Sequence, residues 1–383
     1  MIYLDSNATT PLLPEVLDAM MPWLREGYAN PSGSHAGAKL ARKAIEQARA
    51  QVADLIGASP EEIVFTGGGT ESVNTALLSL HALTGNGAAV VSSIEHSAVL
   101  RCVENLSRSS RLVPVNTGGR LDADAFEAAL DGAAFVSIMT ANNETGVIQP
   151  MDEIARLTRS RGIPLHSDAI QAAGKIPINV VESGVDLLSL SAHKFHGPKG
   201  VGALFVRKGL RFEPLLRGGG QESGRRSGTE NTPGIVGMGM AALLASRHLA
   251  ETATAPARDV FEARVVSGVT GVTVNGDVSF RLPNTSHLSF DGCDAAGLLI
   301  LLDEAGIACS AGSACMTGKQ RPSHVQLAMG IPEHRAKSSL RFSFSKLNTE
   351  EEAIAAADAV AKVVEKLRRV QGAGVGPVVV YSP

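Results

Sequence analysis

Between about residue 60 and residue 206 the chain alternates short apolar runs with helical patterns. The runs at 63–66, 88–93, 135–140, 163–166, 185–190 and 201–206 are mostly apolar and too short to be helices of their own. Strands that alternate with helices build βαβ units, so the pattern predicts an α/β fold around a mostly parallel sheet. Ligands on such a sheet bind beyond the carboxyl ends of its strands. Chemistry is therefore expected at Thr70, His96, Asn143, Asp168 and Lys194, each of which lies just after a predicted strand.

The first of these positions follows a strand that runs directly into Gly67-Gly-Gly-Thr-Glu-Ser72 and a helix start. Glycines let the backbone approach an anion closely, and free N–H groups and the helix dipole favour negative charge there. Thr70 adds a hydroxyl donor. Asp168, just past an apolar strand, is suited to pair with a protonated pyridine nitrogen. A histidine at a strand end, His96, can stack on a flat ring. Lys194 sits in Ser191-Ala-His-Lys-Phe-His-Gly-Pro-Lys-Gly200 between two strands, with Ser191 and His193 able to donate to an anion. A lysine beside phosphate ligands suits covalent attachment of pyridoxal phosphate. Each residue also has an ordinary reading: Lys194 as a solvated loop lysine, His96 as a satisfied surface histidine, Asp168 as a helix N-cap. Five coincidences of position and chemistry favour the site.

Composition narrows the partners. The 383 residues suffice for one large and one smaller domain with a sizeable core. Net charge is −3 with no basic block, which argues against nucleic acid. No run of ~18 apolar residues spans a membrane, and the start, Met1-Ile-Tyr-Leu-Asp5, does not read as a signal peptide. Four cysteines, at 102, 293, 309 and 315, form neither a disulfide framework nor a zinc pattern, so a reducing cytoplasm is expected.

Early in the chain, a helix is expected with Leu40, Ala44, Ile45, Ala48, Val52 and Leu55 on one face. Ser59-Pro-Glu-Glu62 carries the signals of a short capped turn. The basic, glycine-rich segment Arg217–Asn231 fits a second phosphate contact, an inter-subunit loop or a linker. Composition shifts near Glu251–Pro256, a boundary, and strands are expected at 272–274 and 285–290 before a helix near 295–302. Cys315 heads a polar stretch that continues to Pro322, where a nucleophilic thiol belongs, whereas Cys309 sits in more apolar company and reads as packed. Arg341, alone in a short apolar strand, calls for a carboxylate, either of a ligand or in a structural salt bridge. A final helix opens with a capping box, Thr349 to Glu352, and shows Ile354, Val360, Val363, Val364 and Leu367. The glycine-rich tail from Gln371 has no assigned role.

Nearly end to end, the chain resembles the cysteine desulfurases of the NifS/IscS type, within the fold-type I, class V aminotransferase-like enzymes. The resemblance is carried by Tyr3-Leu-Asp-Ser-Asn-Ala-Thr-Thr-Pro11, Phe65–Ser72, Glu95-His96, Asn142-Asn-Glu-Thr-Gly146, Asp168-Ala-Ile-Gln171, Ser191-Ala-His-Lys194, Arg226-Ser-Gly-Thr229, Ser310–Cys315 and Leu340-Arg-Phe342. It implies a large pyridoxal-phosphate-binding domain, 15–250, with a mostly parallel sheet. A smaller α+β domain, built from 1–14 and 251–383, would carry the catalytic cysteine loop. It implies pyridoxal 5'-phosphate attached to Lys194, which also moves protons, with His96 stacked on the ring and Asp168 at its nitrogen. Gln171 would face the ring hydroxyl. Gly69, Thr70, Ser191 and His193 would hold the phosphate, with Thr229 coming from the second subunit of a homodimer. Asn143 and Arg341 would orient the carboxylate of L-cysteine. Cys315 would take the sulfur as a persulfide, release alanine and hand the sulfur to an acceptor such as an iron–sulfur scaffold protein. No metal site is implied beyond a transient iron–sulfur cluster on Cys315.

Three features bear on the acceptor and leave the chemistry intact: Ser223 where the family usually has arginine, Arg225 where it has an apolar residue, and Arg321 where an acidic residue is common. Cys309 lies close enough in sequence to pair with Cys315 under oxidation. A selenocysteine lyase is a second enzyme reading, against which the long cysteine loop argues. A non-catalytic sulfur-relay partner is a third, and Lys194, Asp168, His96 and Cys315 together argue against it.

Overall fold

The strands, in chain order, are β1 (Ile2–Tyr3), β2 (Ile63–Thr66), β3 (Ala88–Ser92), β4 (Ser110–Val113), β5 (Ala133–Ser137), β6 (Leu165–Asp168), β7 (Leu187–Ser191), β8 (Gly202–Val206), β9 (Val272–Val274), β10 (Thr285–Phe290), β11 (Ile307–Ala308) and β12 (Ser339–Ser343). They come from a computed structural model that describes residues 1–251, 255–311 and 322–372. Seven strands form one sheet in the order β2-β8-β7-β6-β5-β3-β4. Every pairing in it is parallel except the two made by β8. Strands β2, β3, β7 and β8 are buried along their whole length, as near-continuous apolar runs in a covered parallel sheet should be. β4 was not expected from the sequence: it is short and at the sheet's edge, with three exposed residues that break the apolar pattern.

Helix Ala36–Ile56 buries Ala38, Ala41, Ile45, Ala48, Val52 and Ile56. Leu40, expected on that face, is exposed instead. The reason lies in the helix it packs against, Thr232–Glu251. Gly239 of that helix passes so near that a methyl group on it would sit 2.5 Å from Ala48 Cα. A crossing this close selects the stripe of small residues and turns the larger leucine outward. The final helix, Glu350–Gly372, has its capping box: Glu352 N–H donates to Thr349 Oγ1 (3.2 Å) and Thr349 N–H to the Glu352 carboxylate (3.3 Å). It buries Val360, Val363, Val364 and Leu367, while Ile354 stays largely exposed in its first turns.

A second sheet, β12-β10-β9, is antiparallel. It packs with helices Ala255–Gly268, Ala295–Glu304 and Glu350–Gly372 around Phe261, Phe290, Phe342 and Phe344, a core separate from those of the large sheet. Fully burying such a side chain stabilises the fold by roughly 1.5–3 kcal/mol. The N-terminus joins the two halves. β1 pairs in parallel with β11, and Leu4 enters the second core. A few residues on, Thr10 N–H donates to His193 O (2.9 Å) beside the large sheet. Among the described residues no helix is long and apolar enough to cross a membrane.

Candidate active site

A cavity of about 380 Å³ opens at the carboxyl ends of β6 and β7, between the large sheet and β12. Gly69, Thr70, His96, Asn143, Asp168, Gln171, Ser191, His193, Lys194 and Arg341 all line it. Residues spread over 272 positions of sequence, from 69 to 341, thus meet in one cleft.

Lys194 ends a single 3₁₀ turn, Ala192–Lys194, just after β7. Its Nζ donates to the carbonyls of Asn7 and Ala8, both at 2.7 Å. Burial, and then the nearby Arg341 cation, push its ammonium down to about 8. A primary amine at that value is uncharged often enough near neutral pH to attack a carbonyl carbon.

Asp168 is the last residue of β6. It is not a helix N-cap: its Oδ1 accepts from Ile170 N–H (2.9 Å) in a turn. Burial pushes its carboxyl up to about 6, against that hydrogen bond and the pull of Lys194. A buried carboxylate of this kind is stabilised by a cation brought to it. His96 lies four residues beyond β3 and caps helix Ser97–Glu104, its Nδ1 accepting from Ala98 N–H (3.1 Å). That bond places the proton of the neutral ring on Nε2. Burial, then Lys194 and His324, hold its pKa below the usual histidine value, so the ring is uncharged at neutral pH.

At one end of the cleft, helix Gly69–Leu83 begins with its free N–H groups directed at the cavity. Gly69 leaves room for its neighbours: a Cβ there would lie 2.4 Å from Ile170 Cδ1 and 3.3 Å from Ser191 Cβ, so the Ile170 side chain would have to shift. Glu71, an acid in this first turn, is turned aside; it accepts from Gly67 N–H (2.7 Å) and pairs with Arg226 (3.0 Å). Ser191 is buried, and His193 holds Thr9 Oγ1 at 3.2 Å through Nδ1. Burial, then Lys194 and Lys199, push His193 down to about 4, so it too is neutral.

On the opposite wall, Arg341 of β12 is 4% exposed. Its Nη2 donates to Asp5 Oδ1 (2.7 Å) and its Nη1 to Asn143 O (2.8 Å). Its buried Nε has no hydrogen-bond partner among the described residues. Gln171 donates from Nε2 to Asn7 O (2.9 Å) and accepts from Lys175 Nζ at 2.7 Å.

One expected residue, Thr229, does not line this cleft. Thr229 is exposed on the loop after Arg217, which Glu222 and Arg226 pin to the large sheet and to Glu71. Cys315 and Arg321 lie outside the described residues. Cys309 is half-buried, and burial, then Asp5, push its thiol up to about 12, which makes it a poor nucleophile. Sequence reasoning missed Asn7, Ser310 and Lys175, which line the cleft or hold its lining residues. The polar loop at 5–11 marks Asn7 as loop chemistry, but nothing local shows that it joins residues more than 300 positions away.

The cleft fits pyridoxal phosphate on its own terms. It has a helix N-terminus with hydroxyl donors for the phosphate, a buried acid for the ring nitrogen, a neutral imidazole and a lysine of lowered basicity. Residues 2–355 match the family model described as aminotransferase class-V. A cysteine desulfurase of Gluconacetobacter diazotrophicus is 45% identical over 376 residues, covering 96% of this chain and 94% of that protein. A solved structure described as a NifS-like protein superposes with a TM-score of 0.88 at 37% identity, covering 96% of this chain and 100% of the other. One described as SspA in complex with cysteine gives a TM-score of 0.80 at 36% identity, covering 90% and 99%. Fold and site together are those of a pyridoxal-phosphate enzyme of the class-V aminotransferase family. Within that family, the chain belongs to the cysteine desulfurases of the NifS type.

Proposed function

We propose that this protein removes sulfur from L-cysteine, releasing L-alanine and holding the sulfur as a persulfide on Cys315. The observation that carries the reading is the convergence of Lys194, Asp168, His96 and Arg341 on one cavity, from four separate segments of the chain. When bound, pyridoxal phosphate supplies an electron sink that draws density from the substrate's Cα–Cβ region and weakens the C–S bond.

The chain supplies the rest. The first N–H groups of helix Gly69–Leu83, with Thr70, Ser191 and His193, hold the phosphate. Thr229, exposed on its loop, completes that grip for the second subunit of a homodimer. Asp168 keeps a negative charge at the ring nitrogen, and His96 covers the ring face. Arg341, whose Nε is unused, and Asn143 bind the substrate carboxylate and fix the side of the substrate that faces Lys194. Lys194, near neutral basicity, takes the Cα proton and returns it. The Cys315 thiolate attacks the substrate sulfur: an S–S bond forms and the C–S bond breaks. The electron pair stays on the substrate carbon, which takes a proton to become alanine. The persulfide then passes to a sulfur-acceptor protein, such as an iron–sulfur scaffold, in the cytoplasm. The core around Phe261 and Phe342, separate from those flanking the large sheet, supports a division into a cofactor domain, 15–250, and a smaller domain formed by 1–14 and 251–383.

The test is alanine release from L-cysteine with a reductant present, comparing the wild type with Cys315→Ser. Alanine from the wild type alone is expected. Equal release from both would move the reading to a lyase that does not need this thiol.

A further inference from the structure

Lys175 lies four residues beyond Gln171, in the turns that follow β6, and reaches back beneath the cleft. Its Nζ donates to Gln171 Oε1 (2.7 Å) and to Asn7 Oδ1 (3.0 Å). Both acceptors are amide oxygens, and the charged groups that act on Lys175 are the cations Lys194 and Arg341. A primary amide has a donor edge and an acceptor edge of nearly the same shape, so neighbours decide which edge faces where.

Asn7 is oriented without help from Lys175. Its Nδ2 donates to Asn143 O (3.2 Å) and Thr285 Oγ1 (2.9 Å). Its Oδ1 also accepts from Asn284 Nδ2 (3.0 Å), and that same nitrogen is committed to Phe344 O (3.0 Å). Asn7 therefore presents oxygen to Lys175. Gln171 is held at both edges: its Nε2 donates to Asn7 O (2.9 Å), and Lys175 occupies its oxygen. Lys194 also donates to Asn7 O, at 2.7 Å, so two lysines sit on the two oxygens of one asparagine. Only Lys194 has to leave when cofactor is attached to it. From then on Lys175 is the amine that ties the Gln171 oxygen to the already fixed Asn7.

We propose that Lys175 is a positioning residue that acts through Gln171, holding the amide so that its NH₂ edge faces Asn7 O and the ring hydroxyl of bound pyridoxal phosphate. This rests on the role proposed for Gln171. A flipped amide would set Gln171 Oε1 against Asn7 O and present a second oxygen to the ring oxygen. Burial, and then Lys194 and Arg341, hold the Lys175 ammonium well below the ordinary lysine value.

The test uses full-length holoenzyme in four forms: wild type, Lys175→Met, Gln171→Leu and the double variant. The readouts are the absorbance spectrum of bound cofactor across pH and cofactor retention on dilution, with the thermal midpoint of each apoenzyme as a folding control. Lys175→Met is expected to shift the pH midpoint of the spectrum in the same direction as Gln171→Leu. It should weaken retention about fivefold, the worth of one ordinary hydrogen bond. The double variant should be no worse than Gln171→Leu alone. If Gln171→Leu moves the spectrum and Lys175→Met does not, the Lys175 proposal is wrong and the Gln171 role stands. Full additivity in the double variant also overturns it, since Lys175 would then act elsewhere. If Gln171→Leu moves nothing, the Gln171 role fails and the Lys175 proposal fails with it. Should Lys175→Met not fold, Lys175→Gln, which keeps one donor, is used in the same comparison.

Discussion

Two buried arginines, Arg49 and Arg341, each meet a carboxylate, and they spend their guanidinium groups differently. Arg49 grips Glu222 with both ends of its fork, at 2.7 and 2.9 Å, and adds bonds to Ile63 O and Glu46. Glu222 in turn accepts from Phe65 N–H at 2.9 Å. These bonds occupy the open side of β2, which lies at the edge of the large sheet, so the pair closes an edge that would otherwise offer itself to another strand. It also holds the left-handed backbone of Glu222 and Ser223, at φ 49° and 57°, a conformation that costs non-glycine residues on the order of 1 kcal/mol each. Arg341 gives one nitrogen to Asp5 and one to a backbone carbonyl, and its third, buried nitrogen has no partner among the described residues. A saturated fork is a structural device. A fork on the wall of the cleft with a buried donor left over has a nitrogen to offer a ligand there.

The largest effect should come from breaking the saturated pair. Glu222→Ala leaves the Arg49 charge buried without its bidentate partner, and the unfolding free energy in urea should fall by about 3–5 kcal/mol. The KM for L-cysteine should not move, because no arm of Arg49 faces the cleft. Next is Arg341→Lys, which keeps the charge and loses the planar fork. We expect kcat/KM for L-cysteine to drop about 100-fold with little change in thermal stability. If the two variants trade these signatures, the distinction between the arginines is wrong. The smallest effect sharpens the comparison through pH. Arg341 is the main charge that lowers Lys194, and a nearby cation penalises the ammonium form. Arg341→Gln should therefore raise the midpoint for cofactor uptake by the apoenzyme above about 8, so that more alkali is needed to free the amine. Glu222→Ala should leave that midpoint in place.

The same contrast marks what could be read in the sequence. Thr70, Asp168 and Lys194 are legible because they stand just past short apolar runs that alternate with helical patterns, and a parallel sheet puts its ligands there. The sequence left Arg341 divided between a salt bridge and a ligand site, because an arginine in an apolar strand looks the same in both cases. Its place on the wall of the cleft, together with the unpaired Nε, separates them. Arg49 was not singled out at all, although it lies on the buried stripe of its helix, since its partner is 173 residues away. Leu40 was placed on the wrong side because periodicity cannot tell that the neighbouring helix comes close enough to demand alanines. Lys175 and Asn7 were silent for a related reason. Their importance lies in hydrogen bonds closed over long stretches of chain, which leave no local pattern.

The N-terminal strap has a consequence for how the enzyme is made. Asn7 leaves the ribosome 336 residues ahead of Ser343, whose hydroxyl accepts from its N–H. At roughly 5–20 residues per second, that gap is on the order of tens of seconds. During this time the large sheet can form while the carbonyls that receive Lys194 are still untethered on one side. Competence to hold the cofactor is thus expected to come late in synthesis, when β12 has emerged and the strap can close. A chain stalled before residue 339 would have the sheet and the lysine but an unfinished cleft.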